Sequence, residues 1–491
     1  MNLSRIRAYP SMLLFVAAVL SVTVYLAFSS YYFRVGFPLD DAWIHQTYAR
    51  NLVEQGSWTY TENTGAGGST SPLWTVMLSL GYILSIPPKL WAYLLGAITL
   101  FCTALAAMRW FERSTGVTDS SATGLALLIG FEWHLVWAAV SGMETLFLGL
   151  LTVGFFLVLQ NDSRRYLIAG LLIGIGMWIR PDAILLILPG LWILMFQPKQ
   201  SSLHSRMLMA LQLIAGIALF VIPYLIFNYF TAGSIWPRTF FAKQAEYQAL
   251  LEVPWIVRLL PMLRAPLVGV GILLLPGFFF HLYDSIRNRL MTQIAPFIWV
   301  GCYFGAYALR LPVTYQHGRY LMPLLPVSIV LGYTGLRKLL RMNSAKPLSR
   351  IVLRVWNLSI PAVLIAFWVV GARAYAQDVA IIESEMVDTA RWIQANTPSG
   401  AKIAAHDIGA IGYYAERQLL DLAGLVSPEV IPIIRDELAL EMMMNGEDVD
   451  YLMTFPGWYP YLTSVGEKVY DTGSPFGPAQ GGENMTVYRW P

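Results

Sequence analysis

Charged side chains are scarce in this sequence, and that scarcity excludes an ordinary soluble protein. Asp, Glu, Lys and Arg make up 13% of the 491 residues, whereas soluble domains contain about 25%. Hydrophobic residues account for 56% of the chain, which also contains 17 Trp. The net charge is only +3, and Lys and Arg gather between apolar runs, so no nucleic-acid partner is expected. The expected surroundings are membrane lipids.

Cysteine is almost missing, with Cys102 and Cys302 as the two examples. Both lie inside apolar runs and are interpreted as small packing residues. Two isolated cysteines exclude a disulfide framework and a cysteine-based metal cluster.

Apolar runs long enough to cross a bilayer recur from residue 11 to residue 372. We predict about eleven membrane spans from their lengths. The spans cover residues 11–33, 89–108, 120–139, 143–160, 165–180, 182–197, 207–230, 263–282, 293–310, 319–337 and 350–372. The run 72–87, about sixteen residues long, could be a twelfth span. We instead predict a helix embedded in the outer surface, because the basic residues then share one side.

The basic residues predict which side of the membrane each loop occupies. With 72–87 left out of the count, they fall on one side, which is cytoplasmic by the positive-inside rule. They are Arg5, Arg7, Arg109, Arg113, Arg164, Arg165, Lys199, Arg206, Arg287, Arg289, Arg337, Lys338, Arg341, Lys346 and Arg350. The first run is interpreted as an uncleaved anchor, because it is long and lacks a clear cleavage site. We expect a multi-pass plasma-membrane protein with a cytoplasmic N-terminus.

Two domains are predicted. Residues 1–373 form a transmembrane domain, in which residues 34–88 are a first outer loop with juxtamembrane helices. Residues 374–491 differ in character, because an amphipathic helix at 383–394 precedes short strand-like runs and a further helix at 438–445. The strand-like runs are 402–405, 418–422, 451–455, 468–470 and 485–489. The fold class is therefore a mainly α, polytopic membrane protein with an extracytoplasmic C-terminal α/β domain.

An acidic pair, Asp40 and Asp41, directly follows the first span. Asp40 is well placed as the N-cap of the next helix, with Asp41 in its first turn. Ile44, Tyr48 and Leu52 give that helix an apolar face at i/i+4 spacing. We interpret it as a helix lying on the membrane surface that holds two acids at the mouth of a cavity. The alternative is an ordinary acidic N-cap.

Further ionisable or polar residues are predicted on the same outer side. They are His45, Glu144, Arg180, Asp182, Lys243, Arg310, His317, Arg319 and Tyr320. Each has an ordinary explanation as an interfacial anchor, a snorkelling arginine or an acid at a helix start. Glu132 and His134 lie deeper in a span, where ionisable residues are often functional, although an internal hydrogen-bonded pair is equally plausible.

Several short motifs, taken in order, resemble the C-type (GT-C) membrane glycosyltransferases. Residues 40–44 (Asp-Asp-Ala-Trp-Ile), 48–52 and 68–74 resemble the first outer loop of that family. They are most similar to the subgroup that contains the mycobacterial terminal arabinofuranosyltransferases. Later stretches that are similar to signatures of this subgroup are 141–145, 180–182, 237–239, 242–243 and 318–320.

The resemblance implies an inverting transferase that moves a sugar, such as arabinofuranose or mannose, from a polyprenyl phosphate to a hydroxyl. The acceptor would be a cell-envelope glycan, lipid or protein at the outer face. Asp40 would be the leading base and Asp41 its partner, while Glu144 would lie near the donor or acceptor. Lys243, Arg310 and Arg319 are candidates for holding the phosphate. A protein O-mannosyltransferase or an aminoarabinose-type lipid transferase is the alternative on the same fold.

Transfer of a sugar from a lipid phosphate to a hydroxyl requires few catalytic groups. One carboxylate takes the hydroxyl proton, and cations hold the departing phosphate, which leaves as a stable anion without a general acid. A glycosidase would require two carboxylates that flank the bond. A divalent metal assists some C-type enzymes, but an adjacent pair with a distant third acid is too few to require one. A lipid-linked sugar transporter, the rival from another class, should carry charges around a broken helix pair in mid-membrane.

Overall fold

The computed structural model describes residues 3–61, 66–160, 165–196, 202–342 and 347–491. Most of the chain is a helical bundle. Its helices are α1 (Leu3–Tyr32), α2 (Asp41–Glu54), α3 (Pro72–Ile83), α4 (Pro88–Thr115), α5 (Ser120–Phe131), α6 (Trp133–Val140), α7 (Thr145–Leu159), α8 (Tyr166–Ile179), α9 (Ile187–Met195), α10 (Leu203–Ala232), α11 (Arg238–Glu246), α12 (Gln248–Glu252), α13 (Trp255–Arg264), α14 (Gly271–Arg287), α15 (Met291–Arg310), the single turn α16 (Tyr315–Gly318), α17 (Leu325–Met342) and α18 (Pro347–Ile381).

A helical segment lies at each predicted span. Four helices within the described ranges are long and apolar enough to cross a membrane, or six if each of two bent pairs is one span. Shorter apolar helices, among them α7 and α8, lie at other predicted spans. The run 72–87 forms α3, a short apolar helix. Arg164, Lys199 and Lys346, used above to predict orientation, lie outside the described residues.

Two predicted spans are bent rather than straight. The span 120–139 divides at Glu132 into α5 and α6, which meet at 53°. The Glu132 carboxylate accepts a hydrogen bond from the Leu135 amide at 3.0 Å and lies 2.8 Å from His134 Nδ1, so this acid and histidine form the internal pair considered above. The span predicted at 263–282 begins later, at Gly271, because α13 meets α14 at 105°.

A small C-terminal domain follows the bundle. It contains α19 (Asp388–Asn396), β1 (Lys402–Ala405), α20 (Gly409–Tyr414), β2 (Gln418–Asp421), α21 (Glu437–Gly446), β3 (Tyr451–Thr454), α22 (Pro460–Val465), β4 (Glu467–Asp471), α23 (Phe476–Ala479) and β5 (Thr486–Arg489). The strands form one sheet in the order β2-β1-β3-β5-β4. β1 pairs in parallel with β2 and β3, while β5 pairs antiparallel with β3 and β4. The α/β prediction and its five strands are confirmed.

The chain passes from the bundle to this domain without a loop. α18 continues through one π-helical turn at Ile382–Val387 into α19, so helix crosses the boundary predicted near residue 373. Glu383 in that turn is buried and pairs with both Arg34 and Lys89 at 3.0 Å. These bonds tie the start of the C-terminal domain to the bundle.

Helix α2 is more deeply buried than the sequence predicts. Residues 42–49 are all buried, because α3 packs against one side of α2 and α20 of the C-terminal domain packs against another. Arg50 donates a hydrogen bond to the Tyr413 carbonyl at 2.8 Å. Burial of α2 therefore extends beyond the predicted apolar face, since α3 and the C-terminal domain enclose the helix.

Candidate functional site

Two cavities meet beside the acidic pair. The first, here called the apolar cavity, has a volume of about 550 Å³, and the second, the interdomain cavity, about 790 Å³. The bundle lines the apolar cavity almost alone, whereas the bundle and the C-terminal domain both line the interdomain cavity. The residues common to both linings are Asp41, Ile44, Lys243, Arg319 and Leu425. A carboxylate and two cations therefore stand at the junction of the two cavities.

The apolar cavity combines hydrophobic walls with ionisable groups. Its hydrophobic lining includes Ile184, Leu185, Trp236, Phe240 and Phe241. Most of the predicted site residues also line it, namely Asp41, His45, Glu144, Arg180, Asp182, Lys243, Arg310, Arg319 and Tyr320. The structure thus brings together groups that are separated by up to almost three hundred residues in the sequence.

Arg319 holds Asp41 in an ion pair. Nη2 of Arg319 lies 2.5 Å from the Asp41 carboxylate and 3.0 Å from the Tyr320 hydroxyl. Burial acts to raise the pKa of Asp41, but the charges of Arg319 and Lys243 outweigh it and hold that pKa well below its usual value. Asp41 is therefore an ionised carboxylate that faces both cavities.

Arg319 has further donors to offer. Its side chain is only 7% exposed, and within the described part of the chain its Nε and Nη1 atoms have no hydrogen-bond partner. Buried guanidinium N–H groups normally find an acceptor, because leaving them unpaired costs about 1–3 kcal/mol or more. The arrangement is suited to an anion that approaches Arg319 from either cavity.

Asp40 occupies a different environment from its neighbour. Its carboxylate accepts hydrogen bonds from the Gly409 and Ala410 amides at 2.6 and 2.8 Å. These amides belong to the first turn of α20, so Asp40 caps a helix of the C-terminal domain. It occupies the N-cap position of α2, as predicted, but its side chain makes no capping hydrogen bond to that helix. A Cβ at Gly409 would lie 2.0 Å from the Asp40 carbonyl oxygen, so this approach requires glycine.

The protonation of Asp40 also differs from that of Asp41. Burial, followed by the negative charge of Asp407, raises the pKa of Asp40 to about 8, although the two α20 amides oppose this shift. Asp40 lines the interdomain cavity and is absent from the lining of the apolar cavity. The pKa values of the two adjacent carboxyl groups are therefore shifted in opposite directions, upward for Asp40 and downward for Asp41.

A second charged cluster surrounds Arg180. This arginine donates to Glu144 Oε1 and Asp182 Oδ2, each at 3.0 Å, and to the Tyr307 hydroxyl at 2.7 Å. The Glu144 side chain is fully buried, and its Oε2 atom has no hydrogen-bond partner among the described residues. Two carboxylates thus share one arginine, and one carboxylate oxygen is left to accept a hydrogen bond from a ligand.

His45 lies against this cluster. Its Nε2 atom is 3.7 Å from Glu144 Oε2, and its Nδ1 atom lies 3.1 Å from the Thr75 hydroxyl and 3.3 Å from the Ser69 hydroxyl. Burial lowers the pKa of His45 more than the adjacent Glu144 raises it. The ring is therefore neutral at neutral pH and leaves the negative charge of Glu144 and Asp182 only partly balanced.

Two further predicted residues have separate positions. The Arg310 guanidinium lies 4.8 Å from the centre of the Phe240 ring and lines the apolar cavity. His317 instead turns away from both cavities, and its Nε2 atom lies 2.7 Å from Asp378. Gln316 and His317 adopt left-handed backbone conformations, with φ of 53° and 59°. This turn sends the neighbouring side chains of His317 and Arg319 in different directions.

Several lining residues of the interdomain cavity were not predicted. They include Glu246, His406, Asp407, Arg435, Trp458 and Tyr459. The available signal was the position of His406 and Asp407 directly after β1, because ligands bind beyond the carboxyl ends of parallel strands. Among the described residues, no three His, Cys, Asp or Glu side chains are grouped so as to hold a metal ion.

Comparison with known proteins identifies the fold. ArnT from Cupriavidus metallidurans bound to undecaprenyl phosphate is 15% identical over 97% of each chain, with a TM-score of 0.60. The Archaeoglobus fulgidus oligosaccharyltransferase in the apo form is 14% identical over 90% of this chain and 69% of its own, with a TM-score of 0.61.

Sequence comparison adds little to this likeness. Residues 364–488 match a family described as a domain of unknown function, DUF8728. No curated protein matches the sequence. The chain therefore has the GT-C membrane fold of ArnT and the oligosaccharyltransferase.

Proposed function

We propose that this protein is a glycosyltransferase that moves a sugar from a polyprenyl phosphate to an acceptor hydroxyl at the outer face of the membrane. The observation that carries the proposal is the position of Asp41. This ionised carboxylate lies where an apolar cavity with several cations meets a second cavity that the C-terminal domain helps to line. A transferase requires such a junction, because donor and acceptor must reach one base from separate binding sites.

The apolar cavity suits the lipid-linked donor. Its hydrophobic residues would contact the polyprenyl chain, while the free N–H groups of Arg319, together with Lys243 and Arg310, would hold the phosphate. That ArnT was crystallised with undecaprenyl phosphate supports this assignment. The buried Glu144 and the neighbouring Asp182 would then accept hydrogen bonds from the donor sugar.

Asp41, rather than Asp40, is the better base. Its carboxylate is ionised and faces both cavities, whereas Asp40 is bonded to α20 and has a raised pKa. The acceptor oxygen would attack the anomeric carbon as its proton passes to Asp41, and the bond from that carbon to the phosphate oxygen would break with inversion. If Arg319 turned toward the incoming phosphate, it would release Asp41 and make it more basic.

The charge around Arg180 favours a second candidate for the donor sugar. Glu144 and Asp182 share one arginine, and His45 is neutral, so this end of the cavity is net negative. A cationic amino sugar would balance that charge, as in an aminoarabinose-type transferase. A neutral sugar such as arabinofuranose or mannose, which the resemblance of the sequence implies, would instead use the same oxygens as hydroxyl acceptors.

The transporter alternative has one feature in its favour, the break between α5 and α6. Glu132 and His134 lie at that break, but they bond to each other and do not line either cavity. The two hypotheses differ in what an Asp41→Asn substitution should do. It should abolish sugar transfer if Asp41 is the base, whereas a transporter would keep its transport activity.

The direct test uses the purified full chain in lipid nanodiscs with three synthetic donors. These are undecaprenyl phosphate linked to arabinofuranose, to mannose and to 4-amino-arabinose, each supplied with a mixture of envelope glycans. Release of undecaprenyl phosphate that depends on an acceptor and on Asp41 would support the proposal. Failure of the wild-type protein to bind undecaprenyl phosphate at all would contradict it.

A further inference from the structure

One edge of the C-terminal sheet opens into the interdomain cavity. β1 ends at Ala405 and is followed by His406 and Asp407, while the adjacent parallel strand β3 ends at Thr454 and is followed by Phe455 and Trp458. All four of these following residues line the cavity. Carboxyl ends of neighbouring parallel strands are where α/β domains place ligands. The domain therefore presents its usual ligand-binding edge to the cavity that contains Asp41.

Trp458 is held in place but remains half exposed. Its ring lies 5.0 Å from the His406 ring and 5.1 Å from the Phe455 ring, both in edge-to-face geometry. The side chain is nevertheless 48% exposed. An indole fixed by two neighbours, with free surface facing a cavity, can stack with a ligand at little entropic cost.

Groups that accept hydrogen bonds lie beside this indole. Oδ2 of Asp407 is buried and has no hydrogen-bond partner within the described ranges. His406 Nδ1 lies 2.7 Å from the Tyr459 hydroxyl, and its Nε2 lies 3.7 Å from Glu246 on α11 of the bundle. The cavity thus contains carboxylate oxygens from both domains that can accept hydrogen bonds from hydroxyl groups.

We propose that the C-terminal domain binds a sugar ring of a glycan acceptor, with the apolar face of the ring on Trp458 and its hydroxyls bonded to Asp407 and Glu246. This inference rests on the proposed transfer reaction, because it assigns the interdomain cavity to the acceptor. It also gives the C-terminal domain the role of selecting which glycan reaches Asp41. Trp458 and Asp407 are specificity-determining residues, since they contact the acceptor away from the reacting hydroxyl.

The composition of the cavity favours a glycan over the other acceptor classes. The C-terminal domain adds charged side chains of both signs, Glu437 and Arg435, to the wall of this cavity, and these suit a hydroxyl-rich acceptor better than an acyl chain. An extended peptide commonly pairs its backbone with an exposed strand edge, whereas the cavity presents strand ends and side chains. A sugar ring matches both an aromatic face and several hydrogen-bond acceptors.

Binding of short glycans to the full chain in nanodiscs tests the inference. The probes are a linear arabinofuranose tetrasaccharide and an α-linked mannose trisaccharide, followed by saturation-transfer NMR, with a Ser/Thr-containing hexapeptide as competitor. We expect at least one glycan to bind. Trp458→Ala should weaken the binding of that glycan about tenfold, and Asp407→Asn should weaken it about threefold. The matched control is Tyr461→Ala, which removes an exposed aromatic ring of the same domain outside both cavities.

The same samples distinguish this inference from the proposed function. Undecaprenyl phosphate binding, measured by tryptophan fluorescence, should be unchanged in Asp407→Asn and Tyr461→Ala. If the wild-type protein did not bind undecaprenyl phosphate, the proposed function would be wrong. Glycan binding could still be measured in the same sample. The inference is overturned if neither glycan binds, if Trp458→Ala binds them as well as Tyr461→Ala does, or if the hexapeptide displaces them.

Discussion

The two cavities that meet at Asp41 differ in how their buried carboxyl groups are paired. In the apolar cavity the carboxylates are paired with arginines, as Asp41 is with Arg319 and Glu144 with Arg180. In the interdomain cavity burial raises the pKa of Asp40 to about 8 and that of Asp407 to about 6, whereas His406 and Lys243 outweigh burial and lower the pKa of Glu246. Environments that push two neighbouring pKa values apart indicate different chemical roles. Two acids that are adjacent in a sequence therefore need not act as a pair.

Removal of each acid in turn should give the largest difference between the two cavities. Asp41→Asn should lower kcat about 1,000-fold, because the substitution removes the base while keeping the shape of the side chain. Asp40→Asn should lower kcat less than about tenfold, since this group serves to cap α20. Initial rates of undecaprenyl phosphate release would measure both effects. Equal losses in the two variants would contradict the different roles assigned here.

The next largest effect should come from Arg319, one of the two cations that line both cavities. Arg319→Ala should weaken undecaprenyl phosphate binding about 10- to 100-fold, because it removes charge-assisted hydrogen bonds to the phosphate. The variant to compare is Arg310→Ala, which removes a cation stacked on Phe240 at the wall of the same cavity. We expect a smaller loss there. Tryptophan fluorescence titration gives the dissociation constant of undecaprenyl phosphate for both variants. If Arg319→Ala bound this lipid as tightly as the wild-type protein, the assignment of the donor site to the apolar cavity would be wrong.

The charge of the Arg180 cluster should affect which donor sugar the apolar cavity binds. Glu144→Gln keeps the size of the side chain but removes one negative charge. If the natural donor is an amino sugar, this change should raise the KM for that donor about tenfold. It should raise the KM for a donor with a neutral sugar about threefold or less. Competition between aminoarabinose and arabinofuranose donors, with and without the substitution, measures the difference. A larger loss with the neutral sugar would exclude the charge-balancing role.

Much of this architecture could be predicted from local sequence patterns. Apolar runs locate the helices, and short strand-like runs locate all five strands, because both depend on nearby residues. The roles of Asp40 and Asp41 could not be separated in that way. Their environments depend on Arg319 and on the Gly409 amide, both of which are hundreds of residues distant. The burial of α2 was missed for the same reason, since a distant domain covers it.

A smaller effect should appear in the pH dependence of stability. The folded-state pKa of Asp40 is about 8, whereas carboxyl groups in unfolded chains have a pKa near 4. Between these two pH values the folded state therefore binds one proton more than the unfolded state. Stability should therefore fall as pH rises from about 4 toward 8 and level off above that. Asp40→Asn should flatten part of this slope in thermal unfolding between pH 6 and 8.5. A decline that the substitution leaves unchanged would assign the titration to other groups, such as Asp407 and Asp421.

The smallest effect is expected at His317, which the sequence placed among the substrate-binding residues. Its ring contacts Asp378 and lies edge-on to Trp133 and Trp137, so a substitution removes no contact with either cavity. His317→Gln should change kcat and both KM values less than about threefold, with a modest loss of thermal stability from the broken hydrogen bond. A large loss of donor binding would show that the left-handed turn at His317 positions Arg319. In that case Asp378→Asn, which weakens the hydrogen bond that holds the His317 ring in place, should produce a similar loss.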